Sequence, residues 1–181
     1  NGTKVKKRDG RVEPLELDKM HVMVEEACEG LAGVSASQVE INSGIQFYDG
    51  ITTQEIQEIL IKSANDLIDL DHPNYQFVAA RLLLFAVRKS LYGRRKTIPS
   101  LNVHIQNCTA LHVYDFGIYD KYNLEEIEKV ESFLDHDRDF LFTYAGLRQV
   151  VDKYLVQDRS TGKVYETPQF MYMMIALTIF A

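Results

Sequence analysis

Lys7 and Arg8 stand immediately before Asp9-Gly10, and Glu13, Glu16 and Lys19 follow shortly after it. Asp-Gly between alternating segments signals a tight hairpin, and the dipeptide predicts a type I′ turn with positive φ at both central residues. A hairpin of that kind holds cations in fixed positions, and fixed clustered cations are chemistry for an anion, above all phosphate. Thr53, at a predicted helix start, and Lys89, near a predicted helix end, add a hydroxyl and an ammonium to the candidates. Glu13 and Glu16 can accept hydrogen bonds from a base or a ribose. Each of these residues also has a plain structural role. Charge on an edge strand resists aggregation, Thr is a common N-cap, and Lys at a helix C-terminus complements the macrodipole.

Other chemistries find no support in the spacing. There is no GxxxxGK[ST] or GxGxxG element, so neither a P-loop nor a Rossmann site is expected. Cys28 and Cys108 are far apart, lie in predicted helices, and form neither a CxxC pair nor a zinc spacing. His21, His72, His104, His112 and His136 do not make an HExxH pattern, and no GxSxG elbow occurs. Asp135-His136-Asp137-Arg138-Asp139 has the residue types of a metal or acid–base cluster, but its alternating charges read better as a helix junction held by salt bridges. No catalytic residue and no metal ligand is assigned.

Four amphipathic helices are predicted to position the candidate site. Asp18 is the expected N-cap of the first, with Met20, Val24, Ala27, Cys28 and Leu31 inward and Gly30 and Gly33 at its end. Ser35 with Gln38 marks a second helix through Ile45, and Tyr48-Asp49-Gly50 a turn. Thr52 with Glu55 is a capping box opening a third helix, whose inward face is Ile56, Ile59, Leu60, Ala64, Leu67 and Ile68. His72-Pro73 starts the fourth, with Val78, Ala79, Leu82, Phe85 and Ala86 inward, Arg88-Lys89 near its end and Gly93 as its stop. Short connections make this a compact bundle covered at one end by the N-terminal hairpin.

Residues 94–100 are the best linker, which divides the chain into 1–93 and 101–181. Beyond the linker, helices are expected over Leu101–Leu111, Leu124–Leu134 and Phe142–Leu155. A hairpin over Tyr154–Glu166 turns at Ser160-Thr161-Gly162. Thr167-Pro168 opens a last helix that is apolar all round from Phe170 to Ala181, which suits the interior of a larger protein and suggests a fragment of a longer polypeptide or one half of a split protein. The fold class is therefore mainly α with a small β component.

The chain has 181 residues and a net charge of −6, so general nucleic-acid affinity is not implied. The distribution says more than the total. Arg81, Arg88, Lys89, Arg94, Arg95 and Lys96 occur with no acid among them, whereas Lys62 is the only Lys or Arg between Met20 and Ala80. Two basic segments flanking an acidic middle would make a local positive site if the fold joins them. No apolar h-region precedes the hairpin and no apolar run spans a bilayer, so a reducing cytoplasm is expected.

Read in order, several separated motifs carry a resemblance. Lys7-Arg8-Asp9-Gly10, Leu17-Asp18-Lys19, Gln46-Phe47-Tyr48-Asp49-Gly50-Ile51, Pro73-Asn74-Tyr75-Gln76, Ala79-Ala80-Arg81-Leu82 and Arg88-Lys89-x-x-Tyr92-Gly93 closely resemble the N-terminal ATP-cone of the large (α) subunit of class I ribonucleotide reductase. His136-Asp137-Arg138-Asp139, Phe142-Thr143-Tyr144, Lys153-Tyr154-Leu155-Val156 and Gly162-x-x-Tyr165-Glu166-x-x-Gln169-Phe170 are similar to the helical segment leading into that subunit's catalytic barrel. The resemblance implies a four-helix ATP-cone with a small sheet, followed by a truncated helical segment with a β-hairpin.

It also implies an on/off site for ATP or dATP, with Mg²⁺, and assigns parts to individual residues. Lys7, Arg8 and Lys89 would hold phosphates. Lys19 and the chain from Glu13 to Leu17 would line the nucleotide, with Glu13 or Glu16 on its polar edge. Thr53 would contact the ligand and Phe85 would wall the pocket. Gln57 and Ala86 occupy positions beside the nucleotide where family members often carry His, so they bear on the dATP response. The implied partners are the rest of the α subunit, the small (β) subunit and further copies of the chain, with no nucleic acid or membrane. The family's catalytic cysteines lie beyond this chain, which alone would not catalyse the reduction. ATP-cones also occur in transcriptional repressors, but those carry a zinc ribbon with paired CxxC motifs. A helical docking module with a degenerate cone is the other reading.

Overall fold

The computed structural model describes residues 3–180. The chain forms two compact units, one of residues up to Leu84 together with Phe142–Leu147, the other of Phe85–Leu141 and Arg148 onward.

In the first unit, β1 (Lys4–Lys6) pairs antiparallel with β2 (Val12–Pro14), in the register Lys4↔Pro14, Val5↔Glu13 and Lys6↔Val12. The turn is not type I′. Gly10 has φ +87° whereas Asp9 does not enter the positive region. Gly10 N donates to Lys7 O at 3.0 Å, and Lys7 N donates to Arg11 O at 2.8 Å. This is a three-residue loop, a type I turn closed by a glycine bulge, and Asp9 stays in the ordinary region because only the bulge position requires left-handed backbone. A strand absent from the sequence expectation, β3 (Ile51–Thr52), pairs parallel with β1 and completes the order β2-β1-β3. Asp49 Oδ1 accepts from Lys4 N at 2.8 Å, which ties the preceding turn to the same strand.

Helices α1 (Leu17–Cys28), α2 (Ala36–Gly44), α3 (Thr53–Asp66) and α4 (Tyr75–Tyr92) follow. Asp18 lies in the first turn of α1 rather than at its cap, which is Glu16, without a side-chain capping bond. Ser35 caps α2 by accepting from Gln38 N at 3.4 Å, and the box at Thr52 and Glu55 forms on both sides. Val5, Val24, Val39, Ile51, Leu60 and Val78 are buried in this unit. On α3 the buried face includes Gln57, Ile61 and Ser63, while Ile68 is exposed. The closing bonds explain several of the matched motifs. Tyr75 OH accepts from Ser35 N at 3.0 Å, Asn74 donates to Ala32 O at 2.9 Å, and Arg81 donates to the Ala27 and Glu29 carbonyls at 3.2 and 2.6 Å. Arg81 thereby satisfies carbonyls that the end of α1 leaves open.

The second unit contains α5 (Leu101–Ala110), the short α6 (Ile118–Lys121), α7 (Leu124–Glu131) and a 3₁₀ turn over His136–Leu141. The expected single helix 142–155 is instead α8 (Tyr144–Gln149), which crosses the unit boundary and runs into a π-helical turn at Val150–Tyr154. The hairpin has β4 (Gln157–Asp158) antiparallel to β5 (Lys163–Val164), and α9 (Pro168–Ile179) opens with Pro at a first-turn position, where no N–H is missed. Leu101, Ile105, Ile127, Phe170 and Leu177 form its core. Although α9 is apolar all round, Tyr172, Ile175 and Ile179 on it are exposed.

Candidate anion-binding site

The parallel register Lys6↔Thr52 fixes the local geometry of the hairpin cations. Thr52 is the N-cap of α3, so Lys7 follows β1 at the end of the sheet where that helix begins. Glu55 Oε2 accepts from Thr52 N at 2.8 Å and Thr52 Oγ1 at 2.7 Å, and Glu55 Oε1 accepts from Tyr48 OH at 2.8 Å. Those bonds, the Thr52 hydroxyl foremost, hold the Glu55 carboxyl below the usual carboxylate range. Thr53 sits in the first turn with its Oγ1 buried and without a hydrogen-bond partner among the described residues. Gln57, one turn farther along the same face, is 8% exposed. A helix N-terminus carries partial positive charge and open amides, so this end of α3 and the hairpin favour the same kind of ligand.

The cations themselves are not equivalent. Lys7 Nζ lies 3.4 Å from Glu13, and Arg11 is held by Asp9 at 2.7 Å and Glu13 at 3.1 Å. The hydrogen bond with Asp9 raises the Arg11 pKa, and Arg11's backbone amide and side chain lower that of Asp9. Lys19 Nζ lies 2.5 Å from Glu16, which raises the ammonium and lowers the carboxyl. Arg8 is exposed and pairs with no carboxylate among the described residues. Leu17, beside these charges at the start of α1, leaves 59% of its surface exposed. The structure thus brings Lys7, Arg8, Glu13, Glu16, Leu17, Lys19, Thr53 and Gln57 into the first unit.

Phe85 and Lys89 belong to the part of α4 in the second unit. Phe85 is 6% exposed, edge-on to Phe140 at 6.0 Å between centroids. Lys89 is exposed in the last turn.

Comparison with known proteins accounts for both units. Residues 3–90 match the ATP cone domain, and residues 140–181 match the ribonucleotide reductase all-alpha domain. The ribonucleoside-diphosphate reductase 1 subunit alpha of Escherichia coli K12 is 47% identical over 177 residues, covering 98% of this chain and 23% of that protein. The Salmonella typhimurium protein of the same name is 48% identical with the same coverage, and the phage T4 subunit alpha is 44% identical over 81% of this chain and 20% of its own length. The chain belongs to the ribonucleotide reductase α-subunit family. It spans 23% of the length of the two bacterial relatives and 20% of the phage protein.

Within the second unit, the structure shows buried polar groups that spacing did not reveal. Arg88 Nη2 lies 3.5 Å from Asp139 Oδ2 and donates to the His136 carbonyl at 2.7 Å. The run Asp135–Asp139 is a junction with ion pairs, as its charges suggested, but among the described residues only Arg138–Asp135, at 3.7 Å, is local. Tyr114 OH donates to Glu166, which also accepts from Val156 N at 2.8 Å. His104 stacks on Phe170 at 4.1 Å and lies 3.1 Å from Tyr114 OH. Burial takes the His104 pKa down to about 4 and raises that of Glu166. A cavity of about 600 Å³ adjoins Tyr114 and Glu166, walled by Met171, Met174 and Ile175. Burial pushes both Cys28 and Cys108 up to about 11, so neither is a thiolate near neutral pH. Among the described residues no group of three or more His, Cys, Asp or Glu could hold a metal ion, and no helix is long and apolar enough to cross a membrane.

Proposed function

We propose that this chain is the regulatory portion of a ribonucleoside-diphosphate reductase α subunit, binding ATP as activator and dATP as inhibitor. The observation that carries the reading is the convergence of Lys7 and the N-terminus of α3 at one end of the β2-β1-β3 sheet, within a segment matching the ATP cone domain. In this reading Lys7 and Arg8 take phosphate oxygens, and exposed Leu17 offers an apolar face to the base. Glu13 and Glu16 meet the polar edge, Lys19 flanks it, and Thr53 Oγ1 finds in the ligand the partner it lacks. Gln57 lines the same face. Lys89 and Phe85 enter the proposal through the sequence resemblance. Mg²⁺ arrives on the triphosphate, whose oxygens are the hard ligands it prefers. The switch acts by binding the effectors with different affinities in different assemblies of α with itself and with the small subunit, in the cytoplasm.

One observation favours a second reading, a docking module with a degenerate cone. Lys7, Arg11 and Lys19 are already matched by Glu13, Asp9 and Glu16. Calorimetric titration of the folded chain with MgATP and with MgdATP separates the two. Saturable micromolar binding is expected. Preference for dATP marks an inhibitory site, and no heat with either nucleotide leaves the docking module.

A further inference from the structure

Arg88 and Asp139 are 4% and 1% exposed, which is unusual burial for two side chains that carry charge. They tie together three segments of the second unit. Arg88 on α4 reaches Asp139 at 3.5 Å and the His136 carbonyl at 2.7 Å on the 3₁₀ turn, with its guanidinium carbon 5.0 Å from the Phe140 ring centroid. Asp139 Oδ1 accepts from Gln169 Nε2 of α9 at 3.1 Å. Stability is a poor explanation for this arrangement, because desolvation offsets the attraction and apolar residues of similar size often serve as well. The seam is also incompletely bonded, with Arg88 Nε and Asp139 Oδ2 lacking hydrogen-bond partners among the described residues.

What the pair supplies is direction. Val78, Ala79, Ala80, Leu82, Leu83, Leu84, Phe85 and Val87 are all buried, so α4 is apolar on nearly every side through its middle turns. Polar anchors therefore decide its rotation: Arg81 on the Ala27 and Glu29 carbonyls holds the middle turns, and Arg88, seven residues on, is placed to hold the last ones. Arg88 Nη2 does so by donating to the His136 carbonyl at 2.7 Å while facing the Asp139 carboxylate at 3.5 Å, two contacts that one rotation of the helix end satisfies together. Lys89 is the next residue, exposed, about 100° around the helix.

We propose that Arg88 and Asp139 are positioning residues for effector binding: they set the rotation of the last turns of α4 and so the place of the Lys89 ammonium. This rests on the reading of Lys89 as a phosphate ligand. The test is MgATP titration of the full α subunit, held below its thermal transition. Asp139→Asn is expected to weaken ATP about fivefold, and Lys89→Ala at least as much. Because Asp139 acts through Lys89, adding Asp139→Asn to Lys89→Ala is expected to change affinity less than about twofold. The paired replacement Arg88→Met with Asp139→Leu keeps the seam filled and is expected to lower affinity in the same way without lowering the transition. Unchanged affinity in Asp139→Asn and in the paired replacement, whatever their stability, overturns the proposal. So does a loss of affinity that persists in full without Lys89. If Lys89→Ala itself binds normally, the phosphate role of Lys89 falls and the positioning role with it. If the wild type does not bind, the nucleotide reading fails first.

Discussion

Replacing Lys7 by Ala separates fixed geometry from general charge at the hairpin. The structural cost is small. The Lys7–Glu13 pair is 3.4 Å long with both side chains about a third exposed, so it contributes at most about 1 kcal/mol. Its loss does not strand Glu13, which keeps Arg11 at 3.1 Å. A shift in Tm of no more than about 2–4 °C is expected for a chain of this size. The binding cost is larger, because a hydrogen bond to a charged phosphate contributes about 1.5–3 kcal/mol. Offset by the Glu13 pair that phosphate displaces, which contributes at most about 1 kcal/mol, this leaves a loss of roughly 2- to 30-fold in MgATP affinity.

Arg11→Ala is the matched comparison. It removes the same charge from the same hairpin, but that charge is already engaged by Asp9 at 2.7 Å and by Glu13. Its effect on affinity is expected to be below about threefold, and to shrink further in salt because the side chain is exposed. Calorimetric titration at low and high ionic strength, with scanning calorimetry as the stability control, measures both variants. Equal losses in the two would show that net charge alone attracts the nucleotide. A larger loss in Arg11→Ala would refute the assignment of Lys7.

Thr52→Ala removes the cap of α3, where the hydroxyl both accepts from Glu55 N and donates to its carboxylate, and is expected to cost about 1 kcal/mol by chemical denaturation. Phe170→Ala empties a fully buried site stacked on His104 and is expected to cost about 3–5 kcal/mol, read as an early loss of the second unit's amide protection in hydrogen exchange. The pH dependence of stability follows from opposing groups. Burial lowers His104 to about 4 and also lowers His136, so their contribution is present above the ordinary histidine value of 6.5 and is lost as pH falls. Burial raises Asp139 to about 6 and also raises Glu166, so theirs is present at low pH and is lost as pH rises through 6. The two sets offset between about pH 4 and 6. Asp139→Asn is therefore expected to steepen the loss of stability on acidification relative to wild type, and an unchanged slope in a denaturant series would contradict the burial of that carboxyl.

The parts of this fold that read directly from sequence are those set by neighbours in the chain. The capping box at Thr52 and Glu55, Gly162 in the second hairpin and Pro168 at the head of α9 are local, and the structure has them where the residues indicate. The hairpin at Asp9-Gly10 was legible as a hairpin, but its turn type depended on strand register, which two residues do not set. β3 was not legible because Ile51–Thr52 is a strand only by pairing with residues 46 positions away. The same limit hid Asp139 as the partner of Arg88. In sequence the nearest opposite charge to Asp139 is Arg138, but adjacent residues in a turn point apart, and burial selected the distant partner. At the candidate site the cations were visible from spacing alone, whereas their pairing with Glu13, Asp9 and Glu16 required coordinates.

That pairing bears on how a switch of this kind can work. A hairpin with bare, converging cations would hold a triphosphate tightly and release it slowly, which suits a cofactor better than an effector that must follow changing nucleotide levels. Here phosphate would have to displace Glu13 from Lys7, exchanging one exposed ion pair for another, so only the difference between the two counts toward affinity. The proposed micromolar binding is what such an exchange gives. It also leaves a small change in the position of Lys7, Arg8 or Lys89 able to alter affinity severalfold, and that sensitivity is the condition for coupling nucleotide to assembly, since an effector shifts an equilibrium only by its difference in affinity for the two states.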